Sequence, residues 1–148
     1  MARRVFFSFH YDRDIWRANV VRNSWVTQER TAAGFFDASL WEDAKRRGDA
    51  AIKRMIDNAL VGTSVTAVLV GAQTAGRQYV LYEINQSIAR GSGLLGVRIH
   101  SIADRSGATD FWGPSPLPTR YPVYDWVIGG GYDNFGIWVE QAAQAAGR

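Results

Sequence analysis

Cysteine is absent from this chain of 148 residues, and histidine occurs only twice, as His10 and His100. Without cysteine there can be no disulfide, no thiolate metal ligand and no cysteine nucleophile. The two histidines do not have the spacing that a zinc site needs, so no metal site is predicted. A chain without cysteine suits a reducing compartment, and we expect a cytoplasmic protein.

Long apolar runs are missing as well. The run that begins at Val5 is interrupted by His10, Tyr11 and Asp12, whereas a signal peptide needs roughly 7 to 15 apolar residues and a membrane helix about 20. The net charge is only +3, and the one basic triplet, at 45–47, is expected to be a solvated loop. We therefore predict no membrane partner and no nucleic-acid partner.

Short apolar runs alternate with segments of helical spacing, and the length predicts a single domain over residues 1–148. Strands are expected over 4–9, 33–39, 63–71 and 93–99. Helices are expected over 12–27, from Asp49 as N-cap to Gly62, over 74–90 and after Tyr132. This alternation predicts a doubly wound α/β fold, with a mostly parallel sheet of about five strands and helices on both faces. Residues 101–121 form an irregular excursion.

Ligands of such a sheet bind at the carboxyl ends of the strands, where the strand order reverses. The residues expected at that edge are 9–11, 37–41 and 71–73. A literal GxGxxG pattern spans Gly91 to Gly96, but there a helix ends and a strand begins. A dinucleotide fingerprint needs the opposite order, so we do not expect this pattern to bind a phosphate. The glycines at 129–131 are expected to form a turn.

Glu83 lies within the apolar stretch "YVLYEI" of the predicted helix 74–90. At about 100° per residue, Val80, Leu81, Ile84 and Ile88 are expected to share the buried stripe, with Glu83 at its border. The residues three and four positions away include no cation, so a helical ion pair is not expected. An ion pair with an arginine elsewhere and a functional carboxylate both remain open.

A carboxylate beside aromatic side chains suits the cleavage of an N-glycosidic bond. That reaction develops positive charge on the ribose, which a fixed carboxylate stabilises. Phe9, Tyr11, Trp41 and Tyr79 are candidates to stack the departing base.

Six segments follow one another over nearly the whole chain: "RVFFSFHY", "GFFDASLWEDA", "TSVTAVLVGAQT", "YVLYEINQSI", "VYDWV" and "GYDNF". In sequence and in order they resemble the TIR-like ThsB subunits of the bacterial Thoeris anti-phage defence system. Ser8 and Phe9 match the serine-phenylalanine pair that ends the first strand of TIR domains, and Glu83 matches the catalytic glutamate. Tyr79 and Val80 stand where the family usually has tryptophan and cysteine. The resemblance implies a flavodoxin-like TIR fold.

It also implies an enzyme that uses NAD as substrate rather than as cofactor, cleaves it at the nicotinamide bond and releases a cyclic ADP-ribose-type signal. A separate effector protein would respond to that signal, and the active form would be a homo-oligomer. The site residues implied are Glu83 as the catalytic residue, with Ser8, Phe9, His10, Asp37, Trp41 and Tyr79 around the substrate.

Two other functions remain open. The chain could be a TIR interaction module that assembles or binds a nucleotide without turning it over. It could also be a nucleoside-processing transferase, because that chemistry also uses a glutamate on a flavodoxin-like sheet.

Overall fold

A computed structural model describes residues 3–26, 31–36 and 38–148. These residues include five strands in one parallel sheet, in the order β2-β1-β3-β4-β5. The strands are β1 (Arg4–Ser8), β2 (Thr31–Ala33), β3 (Val65–Val70), β4 (Gly93–Arg98) and β5 (Val123–Asp125). The helices are α1 (Tyr11–Val26), α2 (Ala38–Arg47), α3 (Asp49–Leu60), α4 (Gln78–Ala89) and α5 (Gly131–Ala145). The predicted α/β fold class is confirmed, and this strand order is that of flavodoxin.

The alternation of side chains along β1 assigns its residues to the two faces of the sheet. Val5 and Phe7 pack into the core that α1 and α5 cover, whereas Phe6 packs against α2 and α3. Because successive strand residues point to opposite faces, Ser8 lies on the same face as Phe6. That is also the face covered by α4, whose Val80 and Ile84 pack against β3.

The second strand was predicted in the wrong place. It was expected over 33–39, but β2 is Thr31–Ala33 and ends before Gly34. Gly34 has φ +89°, and a Cβ atom there would lie 2.4 Å from the carbonyl oxygen of Phe7. The chain therefore passes too close to β1 for any other residue, and it turns away from the sheet at this point.

A helix that the sequence did not predict, α2, follows this turn. The basic residues 45–47 form its last turn rather than a loop, and they pair with carboxylates such as Asp12 and Asp43. Gly48, with φ +103°, separates α2 from α3. The N-cap of α3 is Gly48 and not the predicted Asp49, which is the first helical residue and bonds Lys53 instead.

The excursion at 101–121 contains neither helix nor strand, as predicted, and arginines attach it to the sheet edge. Arg17 on α1 donates to the carbonyl oxygens of Ile102 at 2.7 Å and Ala108 at 2.9 Å. Arg98 donates to the carbonyl oxygen of Gly113 at 2.6 Å. A Cβ at Gly113 would lie 2.3 Å from the carbonyl oxygen of Gly71, so the excursion covers the carboxyl end of β3.

Candidate active site

A hydrogen bond between Ser8 and Glu83 joins the end of β1 to the middle of α4. The Ser8 hydroxyl donates to Oε1 of Glu83 at 2.7 Å. Ser8 is fully buried, and Glu83 is 7% exposed. Glu83 makes no ion pair with any described residue. Within the described part of the chain, its carboxyl is thus held by a neutral hydroxyl alone.

Burial raises the pKa of Glu83 from its usual 4.5 to about 8, and the Ser8 hydrogen bond opposes this rise. The buried stripe of α4 consists of Val80, Glu83, Ile84 and Ser87, whereas Leu81 is 41% exposed. The sequence-based assignment of Leu81 to the stripe, and of Glu83 to its border, was therefore wrong. A protonated, uncharged carboxyl is the favoured form of Glu83 at neutral pH in this closed arrangement.

Two buried hydroxyl groups fix the backbone of Glu83 against the sheet. Ser87, one turn further along α4, donates to the carbonyl oxygen of Glu83 at 2.7 Å. Its hydroxyl also lies 2.7 Å from that of Thr66 on β3. Ser8, Thr66 and Ser87 are all fully buried. The Ser8–Glu83 and Thr66–Ser87 hydrogen bonds therefore attach α4 to the sheet at two points along its length.

Aromatic side chains surround the Glu83 carboxyl and enclose a small cavity. Its lining residues are Phe7, Phe9, Tyr11, Gly34, Phe36, Trp41, Arg77, Tyr79, Val80 and Glu83. Trp41 is central in this wall, with its ring centroid 5.0 Å from that of Tyr11 and 6.4 Å from that of Tyr79. The structure therefore brings Phe9, Trp41, Tyr79 and Glu83 to one place, as the sequence predicted.

The cavity is small, with a volume of about 20 Å³. A buried water needs roughly 10 to 15 Å³ by this kind of measure, so the space is that of about one water molecule. The indole Nε1 of Trp41 is buried without a hydrogen-bond partner among the described residues. An aromatic wall with an unused donor thus covers an uncharged carboxyl.

Arg77 is the charged residue among the cavity-lining residues that sequence reasoning missed. It immediately precedes α4, lines the cavity and makes no ion pair with a described residue. The pKa of His10 is lowered, chiefly by burial and next by the positive charge of Arg77. The place of Arg77 in the connection from β3 to α4 was the available signal, because the connections that follow the strands of such a sheet begin at the edge where ligands bind.

Other predicted residues have different positions. His10 does not line the cavity; its Nδ1 accepts a hydrogen bond from the backbone N–H of Arg13 at 3.3 Å, at the start of α1. Residues 71–73 lie apart from the cavity, and Gly71 packs against Asp14 and the excursion. Asp37 lies outside the described residues.

Among the described residues, no group of three or more histidine, cysteine, aspartate or glutamate side chains is placed to hold a metal ion. Over the same residues, the helices are too short or too polar to cross a bilayer.

Comparison with known proteins assigns the family. The family model described as Thoeris protein ThsB, TIR-like domain, matches residues 6–104. The chain belongs to this ThsB TIR-like family. A protein of Bacillus cereus (strain MSX-D12), named as a candidate cyclic ADP-D-ribose synthase, ThsB1, is 39% identical over 191 aligned positions. That alignment covers 94% of this chain and 100% of the relative.

The ThsB TIR-like match includes every residue that lines the Glu83 cavity, from Phe7 to Glu83. It ends at residue 104, so most of the excursion, β5 and α5 lie beyond it. The alignment with the Bacillus relative has more positions than this chain has residues. The relative therefore carries segments that this member of the ThsB TIR-like family lacks.

Proposed function

We propose that this chain cleaves the bond between nicotinamide and ribose in NAD and releases a cyclic ADP-ribose-type product. The observation that carries the proposal is the Glu83 carboxyl, buried beside Ser8 within an aromatic wall. The ThsB TIR-like family and a 39% identical relative named for cyclic ADP-D-ribose synthesis support this choice of substrate. The product would activate a separate effector protein in anti-phage defence.

The chemistry needs a negative charge at the ribose. When the bond from C1′ to the pyridinium nitrogen breaks, its electron pair goes to the nitrogen, and neutral nicotinamide leaves an oxocarbenium-like ribosyl cation. An ionised Glu83 stabilises this cation, most strongly in a site that excludes water. An atom of the remaining ADP-ribose then attacks C1′, and a proton is released to solvent.

Two other parts of the cavity suit the same substrate. The rings of Trp41 and Tyr79 stand nearly perpendicular to each other, so one of them would stack on the nicotinamide and the other would contact its edge. The Arg77 guanidinium supplies a cation for the diphosphate, because an arginine can bind phosphate oxygens through two parallel hydrogen bonds. The aromatic wall would thus contact the nicotinamide ring, the Glu83 carboxyl would lie at the ribose, and the Arg77 guanidinium would bind the diphosphate.

NAD can enter only after the site opens. A cavity of about 20 Å³ does not admit a nicotinamide ring, so Trp41 and Phe36 must move away from Tyr79. Opening would also let water reach Glu83 and would lower its raised pKa. The ionised form that catalysis needs would then be more populated. We propose that assembly of several copies favours the open state, which predicts that specific activity rises with protein concentration.

The test is nicotinamide release from NAD by concentrated protein, with the Glu83→Gln variant as comparison. Glutamine keeps the shape and removes the charge, so we expect turnover to fall by at least about 100-fold, as when a main electrostatic group is lost. Mass spectrometry of the same samples identifies the product. Unchanged turnover in the variant would remove Glu83 from the mechanism.

Two other experimental results would each assign a different function to the chain. If NAD raises the melting temperature but no nicotinamide is released at any protein concentration, the chain is a nucleotide-binding interaction module. If a free base is released from deoxynucleosides and none from NAD, it is a nucleoside-processing transferase.

A further inference from the structure

A second cavity, of about 580 Å³, lies at the amino ends of the strands, on the sheet edge opposite to Glu83. Its walls come from the turn between α4 and β4, the chain entering β5 and the last turns of α5. The side chains that matter here are those of Ile88, Ser92, Leu94, Arg120, Tyr121 and Gln141. The volume falls within the range of about 300 to 1,000 Å³ that small-molecule sites occupy.

The glycine pattern that begins at Gly91 forms one wall, but its backbone cannot hold a phosphate. The N–H groups of Gly91, Ser92 and Gly93 each donate to a carbonyl oxygen of the protein at 3.0 Å. Gly93 also has no room for a side chain, because a Cβ there would lie 2.4 Å from the carbonyl oxygen of Ala142. The glycines therefore shape the cavity, and any ligand must be held by side chains.

Ser92 provides an unused polar group in this wall. It is 5% exposed, and its hydroxyl has no hydrogen-bond partner among the described residues. A buried hydroxyl without a partner costs free energy, and native proteins rarely keep one without a water or a ligand. Around it, Ile88 and Leu94 supply apolar surface.

The charge at this cavity is positive. Arg120 is the only charged residue among the described ones that line it, and its guanidinium stacks on the Tyr121 ring at 4.7 Å. The carboxyl ends of α4 and α5 carry partial negative charge. Arg148 offsets it at α4, since its guanidinium donates to the carbonyl oxygens of Arg90 at 2.5 Å and Gly91 at 3.1 Å.

We propose that this cavity is a second ligand site, which binds a small organic anion built on a flat apolar ring. Ile88, Leu94 and the Tyr121 ring would contact the ring system. The Arg120 guanidinium would bind the anionic group, and the Ser92 hydroxyl would join it after rotation about χ1, because its oxygen is shielded from the cavity in the present rotamer. The site is separate from the Glu83 cavity, at the other end of α4.

The experiment follows backbone amide NMR shifts during titration with naphthalene-1-sulfonate and with its uncharged analogue naphthalene-1-methanol. Sulfonate should shift the amides of Ser92, Leu94 and Gln141 and bind more tightly than the alcohol. Arg120→Gln should weaken the sulfonate roughly tenfold, the loss of one charge-assisted hydrogen bond, and leave the alcohol within about twofold. Arg105→Gln is the matched control, because Arg105 is an exposed arginine stacked on Trp16, and it should change neither affinity.

Two further variants locate the site. Ala145→Trp, at an exposed position that lines the cavity, should abolish binding of both probes. Glu83→Gln should leave both affinities unchanged, which separates this site from the proposed enzyme function. Absence of shifts at millimolar sulfonate, equal affinity for the two probes, or unaltered binding in Arg120→Gln would each overturn the proposal.

Discussion

The Ser8 hydroxyl donates to Glu83 Oε1 at 2.7 Å across 75 positions of sequence. This hydrogen bond stabilises the ionised form of Glu83, while burial disfavours that form more strongly. The balance between this hydrogen bond and burial determines the pH at which the carboxyl of Glu83 ionises. The proposed chemistry depends on that negative charge.

Ser8→Ala should shift the pH dependence of NAD cleavage to higher pH. Removing the hydroxyl takes away the hydrogen bond that lowers the pKa of Glu83, so a smaller fraction of the enzyme is ionised at neutral pH. The rate of nicotinamide release, measured from pH 6 to 9, should fall at neutral pH and recover at the alkaline end. Ser87→Ala is the control, since it removes a buried hydroxyl that bonds the Glu83 backbone and not its carboxyl. An unshifted profile in Ser8→Ala would contradict this role.

Glu83 should make the wild-type fold less stable as pH rises. Its pKa in the folded chain is about 8, against 4.5 normally, so the folded state holds this proton more tightly than the unfolded state does. The resulting stability is complete below pH 4.5 and is lost between pH 4.5 and 8, at about 1.4 kcal/mol per pH unit. Urea unfolding at pH 5 and pH 8.5 should show this loss.

Glu83→Gln should remove that loss, because glutamine does not ionise. In the variant, a smaller loss of stability should remain as the pH rises from 3.8 to about 6, since burial also raises the pKa of Asp14 from 3.8 to about 6. Identical pH dependence in the variant and the wild type would show that Glu83 is not buried as described.

Two substitutions at Tyr79 test whether the site needs the ring or the hydroxyl group of this side chain. Its hydroxyl donates to Asp49 at an exposed position, whereas its ring lines the Glu83 cavity. Tyr79→Phe should keep NAD turnover within about threefold, because an exposed hydrogen bond contributes little. Tyr79→Ala should raise KM and lower kcat, since the stacking surface is lost. Equal activity of the two variants would exclude stacking by this ring.

Arg17→Ala should release the start of the excursion. Arg17 is 7% exposed and binds two backbone carbonyls, so its loss removes a partner from the buried carbonyl oxygen of Ile102 and from the more exposed one of Ala108. We expect about 1 to 3 kcal/mol of destabilisation and faster amide exchange around Ile102 and Ala108. Arg46→Ala is the control, because its ion pair with Asp43 is largely exposed and should contribute little. Slow exchange retained in Arg17→Ala would show that other contacts hold the segment.

Gly93→Ala should destabilise the fold through overpacking. The added methyl group would meet backbone atoms of α5, which cannot move aside, and such changes cost about 1 to 3 kcal/mol. Gly76→Ala is the matched control, with no atom within 4 Å of the new Cβ. Thermal unfolding of the two variants distinguishes a packing effect from a general effect of replacing glycine.

The sequence by itself determined the α/β alternation and the irregular excursion, because a buried strand or a helical repeat is visible in the spacing of neighbouring residues. Glu83 was noticed as one carboxylate in an apolar stretch, and the family resemblance made it the candidate catalytic residue. The position of β2 and the helix α2 could not be predicted in this way, because they depend on how closely Gly34 approaches Phe7.

Only the tertiary structure decided what surrounds Glu83. Its burial, its hydrogen bond to Ser8 and the aromatic wall around it join residues that are far apart in the chain. The same holds for the second cavity, which is lined by Ser92, Arg120 and Gln141. Spacing along a chain fixes which side of a helix a residue lies on, whereas burial depth and partners depend on which elements pack against that side.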